Sequence, residues 1–298
     1  MALPARKGAG KARAKTASAY SPSHITAFFK IYPHGSTGAG VNLEEGVVTN
    51  VQAKSVNAKG KVKIKINGKS VPAPTSRAVV REFLKRAKGK WAISALHKTK
   101  LPIGYGLGVS GAGALSLALA LNSALGTNLS RNLCMQIAKR AEIECGTGLG
   151  DVVAEMHAGV MLGNKPYPSR TVKKIKTNHG FAVVGFFAPI KTKGVIRSGT
   201  WKSKINKAGS WCMSRMDGEK SERAMVHCAR AFSLETGLAT PRLRAVMAEM
   251  PQASQAMLGE TAFVLTNSPR EAAKKMKKFT RRVFISRIAK RGAYTLRA

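Results

Sequence analysis

The feature that most constrains the fold is an uncharged window of thirty residues, 101–130, in a chain otherwise rich in charge. The 298-residue sequence has 51 lysines and arginines against 14 acidic residues, a net charge of +37. The window opens with LPIGYGLGVSGAG, in which five glycines surround Ser110, and continues as an apolar run to Leu125. A run that is apolar on all sides predicts a buried helix. The glycines predict a tight loop where that helix begins.

The same window is long enough to cross a bilayer, which takes about 20 apolar residues. It nevertheless contains six glycines, Pro102 and two asparagines, and its most apolar part, residues 112–121, is too short to cross. We therefore predict a core helix and no membrane partner. The basic N-terminus lacks the apolar stretch of a signal peptide, and the four cysteines form no CxxC pair. Both observations predict a cytoplasmic protein with free thiols.

Glycines that lead directly into a helix are typical of anion-binding sites. The backbone can approach a phosphate closely there, and the first helical N–H groups are free to bind it. Residues 106–111 match GxGxxG, but no acid follows about twenty residues later to hold a ribose, which argues against a dinucleotide site. The Walker pattern and the GxSxG elbow are also absent from the sequence. We interpret the segment as a phosphate loop; the alternative is a turn that only serves packing.

Acidic residues near the window suggest phosphoryl transfer, which needs a cation and a group that orients or deprotonates the acceptor hydroxyl. Ser110 offers a hydroxyl at the loop, and Mg²⁺ prefers such oxygen ligands. Glu142, Glu144 and Asp151 lie within ten residues of one another, although the chain has only 14 acids. The alternatives are charge balance against neighbouring basic residues for the glutamates and a helix N-cap for Asp151.

The remaining sequence mixes strand and helix patterns, which favours an α+β fold. We predict a basic tail at 1–18, a first domain at 19–170 and a second at 171–298, with the boundary at a turn around Pro166 and Pro168. Residues 21–32 predict a strand, 33–46 a loop rich in Gly and Ser, and 46–53 with 61–68 a hairpin. Helical spacing marks residues 75–87, 110–125, 130–144, 151–157, 219–235, 241–249 and 269–279.

Taken together, these motifs resemble the GHMP kinases, the family of galactokinase, homoserine kinase and mevalonate kinase. The phosphate loop of that family reads P-x-x-x-G-L-G-S-S-A, and this chain has PIGYGLGVSGA from Pro102 to Ala112. Within the family, the segments SPSHITAFF, GSTGAGVNLEEGV, RAEIECGTGLGDVVAE and MLGETAF are similar in content and order to archaeal pantoate kinases. The resemblance covers residues 20–263, most of the chain.

The resemblance implies a two-domain GHMP kinase fold, with an N-terminal domain like one found in ribosomal proteins and an α/β sandwich as the C-terminal domain. It implies a phosphotransferase that uses ATP and Mg²⁺ to phosphorylate the primary hydroxyl of pantoate, giving 4-phosphopantoate for coenzyme A synthesis. A homodimer is usual for such enzymes.

The resemblance also assigns roles to individual residues. It implies that Ser110 and Glu142 are Mg²⁺ ligands and that Asp151 faces the acceptor hydroxyl. Three residues are expected near the acceptor: Ser36, Lys139 and Thr200. The nucleotide is expected to contact the loop at Pro102, Gly104, Gly106, Leu107, Gly108, Val109, Ser110, Gly111, Ala112 and Gly113.

Two positions depart from the pantoate kinase pattern and leave other functions open. Lys139 stands where a histidine is usual, and Gly163 where an arginine is usual. Lys139 can offer a point charge to a carboxylate but no planar bidentate contact. Another hydroxy acid is therefore an alternative acceptor. The net charge of +37 raises a further alternative, a nucleic-acid-binding protein on the same fold, although aromatic residues make up only 6% of the chain.

Overall fold

Two long antiparallel strands, β1 (Lys15–Tyr32) and β2 (Gly35–Ser55), run through the centre of the structure. The structure is a computed structural model and describes residues 14–165, 172–190, 194–195 and 198–297. Both strands bend at irregularities in their pairing, between Pro22 and Ser23 and between Thr26 and Phe28. Irregularities of this kind are typical of β-bulges, which bend a strand and increase its twist.

The first sheet is built around this pair and contains eight strands in the described part of the chain. Its order is β12-β1-β2-β5-β3-β4. In addition, β6 pairs with residues 38–41 of β2 on one side and with β7 on the other. The parallel pair β3–β5 is the exception in an otherwise antiparallel sheet. The strands added to the central pair are β3 (Val62–Ile66), β4 (Lys69–Ser70), β5 (Trp91–Lys98), β6 (Val160–Gly163), β7 (Val172–Ile175) and β12 (Tyr294–Arg297).

A second, antiparallel sheet has the order β11-β8-β10-β9. Its strands come from the C-terminal half of the chain: β8 (Phe181–Pro189), β9 (Ser254–Gln255), β10 (Gly259–Thr266) and β11 (Val283–Arg287). Two sheets with helices packed against them confirm the predicted α+β class. Both β7 and β12, which we placed in the second domain, pair with strands of the first sheet.

Helix α2 (Val109–Leu125) lies against β1 and β2 and also contacts α1 (Pro74–Leu84) and α3 (Arg131–Cys145), which contact each other. Fourteen of its 17 residues are buried, which confirms the predicted core helix. Ser130 caps α3, as its Oγ accepts from the amide of Leu133. None of the helices in the described ranges is long and apolar enough to cross a membrane.

Further helices follow the phosphate-loop region of the chain. They are α4 (Asp151–Ala154), α5 (Gly199–Gly218), α6 (Glu222–Thr236), α7 (Pro241–Glu249) and α8 (Pro269–Met276). Our sequence reading missed α5, since its lysines, serines and glycines resemble a loop. Its buried residues nevertheless recur at helical spacing: Ile205, Ala208, Gly209, Cys212 and Met216.

The predicted loop at residues 33–46 is wrong, because most of it belongs to β2. Its glycines serve strand packing: a Cβ at Gly38, Gly40 or Gly46 would collide with the backbone of β1. The predicted hairpin is also wrong, since β5 lies between β2 and β3. The predicted tail is too long, because β1 already begins at Lys15. The boundary predicted at Pro166 and Pro168 lies outside the described residues.

We expect Gly46→Ala to destabilise the protein. The new Cβ would collide with the Ser21 carbonyl oxygen and lie 2.8 Å from the Pro22 Cα. Overpacking of this kind costs about 1–3 kcal/mol of unfolding free energy. Urea unfolding measures the loss, and Gly218→Ala, at a glycine with nothing within 4 Å of its Cβ position, is the matched control. Equal stability of the two variants would contradict this account of the glycines in β2.

Candidate active site

The phosphate loop connects β5 to α2 in a conformation that depends on glycine. Gly104, Gly106 and Gly108 have positive φ values of 86°, 76° and 61°. A Cβ at Gly106 would also lie 2.8 Å from the Gly259 nitrogen and the Met257 oxygen. Both the positive φ and the short distances disfavour a side chain at Gly106. Glycine there lets the loop lie directly against the start of β10.

Backbone hydrogen bonds fix this loop from two sides. The His24 amide donates to the Leu107 oxygen at 3.1 Å, and the Ile190 amide donates to the Gly104 oxygen at 3.0 Å. Gly108, the N-cap of α2, provides no side-chain cap. No N-cap side chain therefore accepts from the first amides of α2, and a helix end of this kind attracts anions.

Asp151 is positioned by the first turn of α4, where it is half-buried. The Thr26 hydroxyl of β1 donates to its Oδ1 at 3.1 Å. That bond joins the aspartate to the central strand pair and restricts the rotation of the carboxylate. Asp151 is thus held in place by a neighbouring element as well as by its own short helix.

A cavity of about 480 Å³ is lined by both the phosphate loop and Asp151. Seven of the ten predicted nucleotide-binding residues contribute to its wall: Gly104, Gly106, Leu107, Gly108, Val109, Ser110 and Gly113. Pro102, Gly111 and Ala112 are absent from that wall, and both Gly111 and Ala112 are buried. Apolar side chains, among them Ile66, Pro74 and Ile103, form another part of the wall.

The three residues predicted near the acceptor have different surroundings. Ser36 lines the cavity, and its Oγ contacts the position that a Cβ at Gly150 would occupy. Lys139 is buried, and its Nζ lies 3.0 Å from the position that a Cβ at Gly35 would occupy. The lysine therefore packs against the backbone next to Ser36. Thr200 is exposed in the first turn of α5 and is absent from the cavity wall.

Glu142 is fully buried on α3, close to the loop. The Thr147 hydroxyl donates to its Oε1 at 2.9 Å, whereas Oε2 has no hydrogen-bond partner in the described structure. Burial, followed by the charge of Asp151, raises the pKa of Glu142 to about 7, while the hydroxyls of Ser110 and Thr147 act in the opposite direction. A buried carboxylate with an open oxygen is suited to hold a cation.

Glu155, which no sequence motif indicated, is fully buried next to Gly108 of the same loop. Burial, followed by the charges of Asp151 and Glu142, raises the pKa of Glu155 well above its ordinary value. The available signal was spacing: Glu155 follows Asp151 by four residues, which places the two on one face if the helix continues. Glu144, in contrast, is exposed and accepts from Arg81 Nη2 at 2.8 Å, so charge balance is its role.

His97 also lines the cavity, but its ring is held within the fold. Nδ1 is 2.8 Å from the Thr49 hydroxyl and Nε2 is 3.0 Å from the Ser76 hydroxyl. Burial lowers the pKa of His97 to about 4, so the imidazole is neutral near pH 7. These contacts make His97 a packed strand residue rather than a catalytic base.

Comparisons with known proteins identify the class to which this fold and site belong. A family model described as the GHMP kinases N terminal domain matches residues 75–159, the segment with α1, the phosphate loop, Glu142 and Asp151. A mevalonate diphosphate decarboxylase structure from Staphylococcus aureus superposes with a TM-score of 0.72 at 14% identity, covering 95% of this chain and 98% of that one. A homoserine kinase structure from Cytophaga hutchinsonii gives a TM-score of 0.71 at 15% identity, covering 99% and 100% of the two chains. The fold is that of the GHMP kinases.

Curated relatives define the family more narrowly. The pantoate kinase of Methanocaldococcus jannaschii is 32% identical over 257 residues, which cover 83% of this chain and 92% of that protein. The pantoate kinase of Thermococcus kodakarensis is 29% identical, with coverage of 87% and 90%. A solved structure described as a phosphotransferase related to the coenzyme A biosynthesis pathway has a TM-score of 0.84 at 25% identity, covering 95% of this chain and 99% of that one. The chain belongs to the pantoate kinase family.

We expect Glu142→Gln to change how stability depends on pH. The pKa of Glu142 is raised from 4.5 to about 7, so the native state binds this proton more tightly than the unfolded state. Its contribution to stability is full below pH 4.5 and is lost as pH rises towards 7, by about 3 kcal/mol in total. In EDTA, the variant should be more stable than wild type at pH 8 and similar at pH 4.5, as measured by urea unfolding.

The matched control for that experiment is Glu144→Gln, which removes only an exposed ion pair with Arg81. Exposed pairs contribute about 0–1 kcal/mol. Its difference from wild type should therefore be small and nearly constant between pH 4.5 and 8. Parallel pH profiles for wild type and Glu142→Gln would show that the buried carboxyl does not titrate as described.

Proposed function

We propose that this protein is a pantoate kinase, which transfers the γ-phosphoryl group of ATP to the primary hydroxyl of pantoate and yields 4-phosphopantoate for coenzyme A synthesis. One structural observation carries the proposal: the phosphate loop and Asp151 line the same cavity. The curated relatives that bear the name pantoate kinase support the choice of acceptor.

The chain's own backbone provides the nucleotide site in this proposal. Free amides at the start of α2 bind the phosphate oxygens, and the glycine loop gives them close access. The apolar wall with Ile66, Pro74 and Ile103 accommodates the less polar part of the nucleotide. Because the loop is held by hydrogen bonds from His24 and Ile190, the amides are oriented before ATP arrives.

The residues near the loop fit a magnesium ion. Glu142 has a buried carboxylate oxygen without a partner, and the hydroxyl of Ser110 lies at the cavity wall beside it. Among the described residues, no three His, Cys, Asp or Glu side chains form a group that could hold a metal alone. Mg²⁺ commonly relies on one or two carboxylates together with phosphate oxygens and water. Ser110 and Glu142 would hold it, and when bound it neutralises charge on the transferred phosphoryl group.

Asp151 orients the acceptor and receives its proton. The carboxylate, fixed by Thr26, accepts a hydrogen bond from the primary hydroxyl of pantoate. As the hydroxyl oxygen forms its bond to the γ-phosphorus, the bond from phosphorus to the ADP oxygen breaks and the proton passes to Asp151. Amides at the start of α2 stabilise the phosphoryl oxygens during transfer.

Ser36 and Lys139 form the acceptor side of the proposed site. The Ser36 hydroxyl lies in the cavity wall beside Gly150 and Asp151, within reach of a small polar molecule. Lys139, buried behind this turn, contributes a positive charge that favours a carboxylate. We do not include Thr200, since it is exposed and outside the cavity wall.

We expect Asp151→Asn to lower kcat by at least about 100-fold, because proton acceptance contributes about 10²–10⁴-fold to rates of this kind. Nucleotide affinity should change little, since the amides of the loop remain. Coupled measurement of ADP release gives kcat, and titration with an ATP analogue gives affinity. Asp217→Asn is the matched control, because Asp217 is the chain's other aspartate and is exposed. Full turnover by Asp151→Asn would overturn the assigned role.

We expect Lys139→Gln to raise KM for pantoate by about 10-fold or more and to leave KM for ATP nearly unchanged. A contact from a charged group to a carboxylate contributes about 1.5–3 kcal/mol. Arg140→Gln, which removes an adjacent exposed cation, should have no such effect. An equal rise in the KM for pantoate and the KM for ATP would contradict a specific role of Lys139 in binding the acceptor.

A further inference from the structure

Three carboxylate oxygens converge beneath the first turn of α2. Glu142 Oε2 and Glu155 Oε2 each lie 3.0 Å from the position that a Cβ at Gly111 would occupy, and Glu155 Oε1 lies 3.2 Å from it. A Cβ at Gly108 would lie 2.8 Å from Glu155 Oε1. Glycine at these two positions therefore lets the carboxylates lie closer to the helix than a methyl group would allow.

None of these three oxygens has a hydrogen-bond partner in the described structure. The Ala112 amide lies close enough to Glu155 to favour its charged form, but it donates to the Gly108 oxygen at 2.9 Å. Glu155 and Glu142 are 0% and 1% exposed, so water does not replace the missing partners at the surface. Two buried, uncompensated carboxylates are costly, and the usual compensation is a cation or a paired base.

The carboxylate oxygens without hydrogen-bond partners in the described part of the chain belong to two different glutamates. A proton shared by the two carboxyl groups is the alternative to a bound cation, and it predicts no Mn²⁺ binding that depends on Glu155. The two side chains come from different elements, Glu142 from α3 and Glu155 from the C-terminal end of α4, yet they meet at one point. Carboxylate oxygens that converge from separate elements are typical of a site for a hard divalent cation.

We propose that Glu155 is a further ligand of the divalent cation at the kinase site, which it holds together with Glu142 beneath the first turn of α2. This inference rests on the proposed function, because it adds a ligand to the metal of that same site. Two carboxylates give the protein its own affinity for the cation, so binding precedes the arrival of nucleotide. Ser110 and phosphate oxygens then complete the oxygen ligands.

The test is a titration of the full-length protein with Mn²⁺, a paramagnetic substitute for Mg²⁺, with free Mn²⁺ measured by electron paramagnetic resonance. Wild type should bind one Mn²⁺ in the absence of nucleotide, and Glu155→Gln should bind it at least 10-fold more weakly. Glu260→Gln is the matched control, because Glu260 is buried but already bound by Thr240 and Arg242. It should bind Mn²⁺ as wild type does.

A second variant protects the test against misfolding. Gly111→Ala keeps both carboxylates and places a methyl group between them, so it should also weaken Mn²⁺ binding. Thermal melting in EDTA establishes that each variant is folded, and Gly111→Ala decides the matter if Glu155→Gln is not. Wild-type affinity in Glu155→Gln, or no Mn²⁺ bound by wild type with or without an ATP analogue, would overturn the proposal.

The same samples separate this inference from the proposed function. Turnover of pantoate by wild type, together with Mn²⁺ affinity that is unchanged in Glu155→Gln, refutes the ligand and leaves the kinase intact. Mn²⁺ binding that depends on Glu155, without phosphorylation of pantoate, supports the metal site and refutes the acceptor.

Discussion

The packing of one uncharged helix against the central strand pair determines the geometry of the site. Most residues of helix α2 are buried, and the helix packs against β1 and β2. This packing sets the direction of the N–H groups in its first turn. The same β1 provides Thr26, whose hydroxyl holds Asp151. The phosphate loop and Asp151 are thereby both attached to one pair of strands. Burial of this uncharged and largely apolar helix stabilises the arrangement, because an exposed helix would leave its leucines in water.

Charge is distributed in a way that supports this geometry. Acidic residues are scarce in this chain, which has a net charge of +37. Three of them, Glu142, Asp151 and Glu155, nevertheless lie close to the phosphate loop. Such a protein attracts a polyanion such as ATP from a distance, while the acids at the loop favour the cation that accompanies it. Burial is the main reason why the pKa values of the two buried glutamates are raised, and the charges of the neighbouring acids raise them further.

The sequence predicted the parts of the site that depend on local pattern. The apolar run after Ser110 indicated α2, and the glycines before it indicated the loop, because both signals are contained within one segment. Prediction from sequence failed where tertiary contacts decide the structure. The glycines of β2 indicate a loop unless their close approach to β1 is known. The buried residues of α5 form a narrow stripe, and the many lysines around them obscure the helical pattern. Glu155 was missed for the same reason, since its significance comes from Glu142 on another helix.

The most direct test of the central claim is to incubate the wild-type protein with Mg²⁺, ATP and pantoate and to follow the mixture by ³¹P NMR. The account predicts that the γ-phosphate signal is replaced by a phosphomonoester signal coupled to the CH₂ protons at the primary hydroxyl carbon of pantoate, in equal amount to the ADP formed. ATP that stays intact, or ADP released with inorganic phosphate alone, would contradict it.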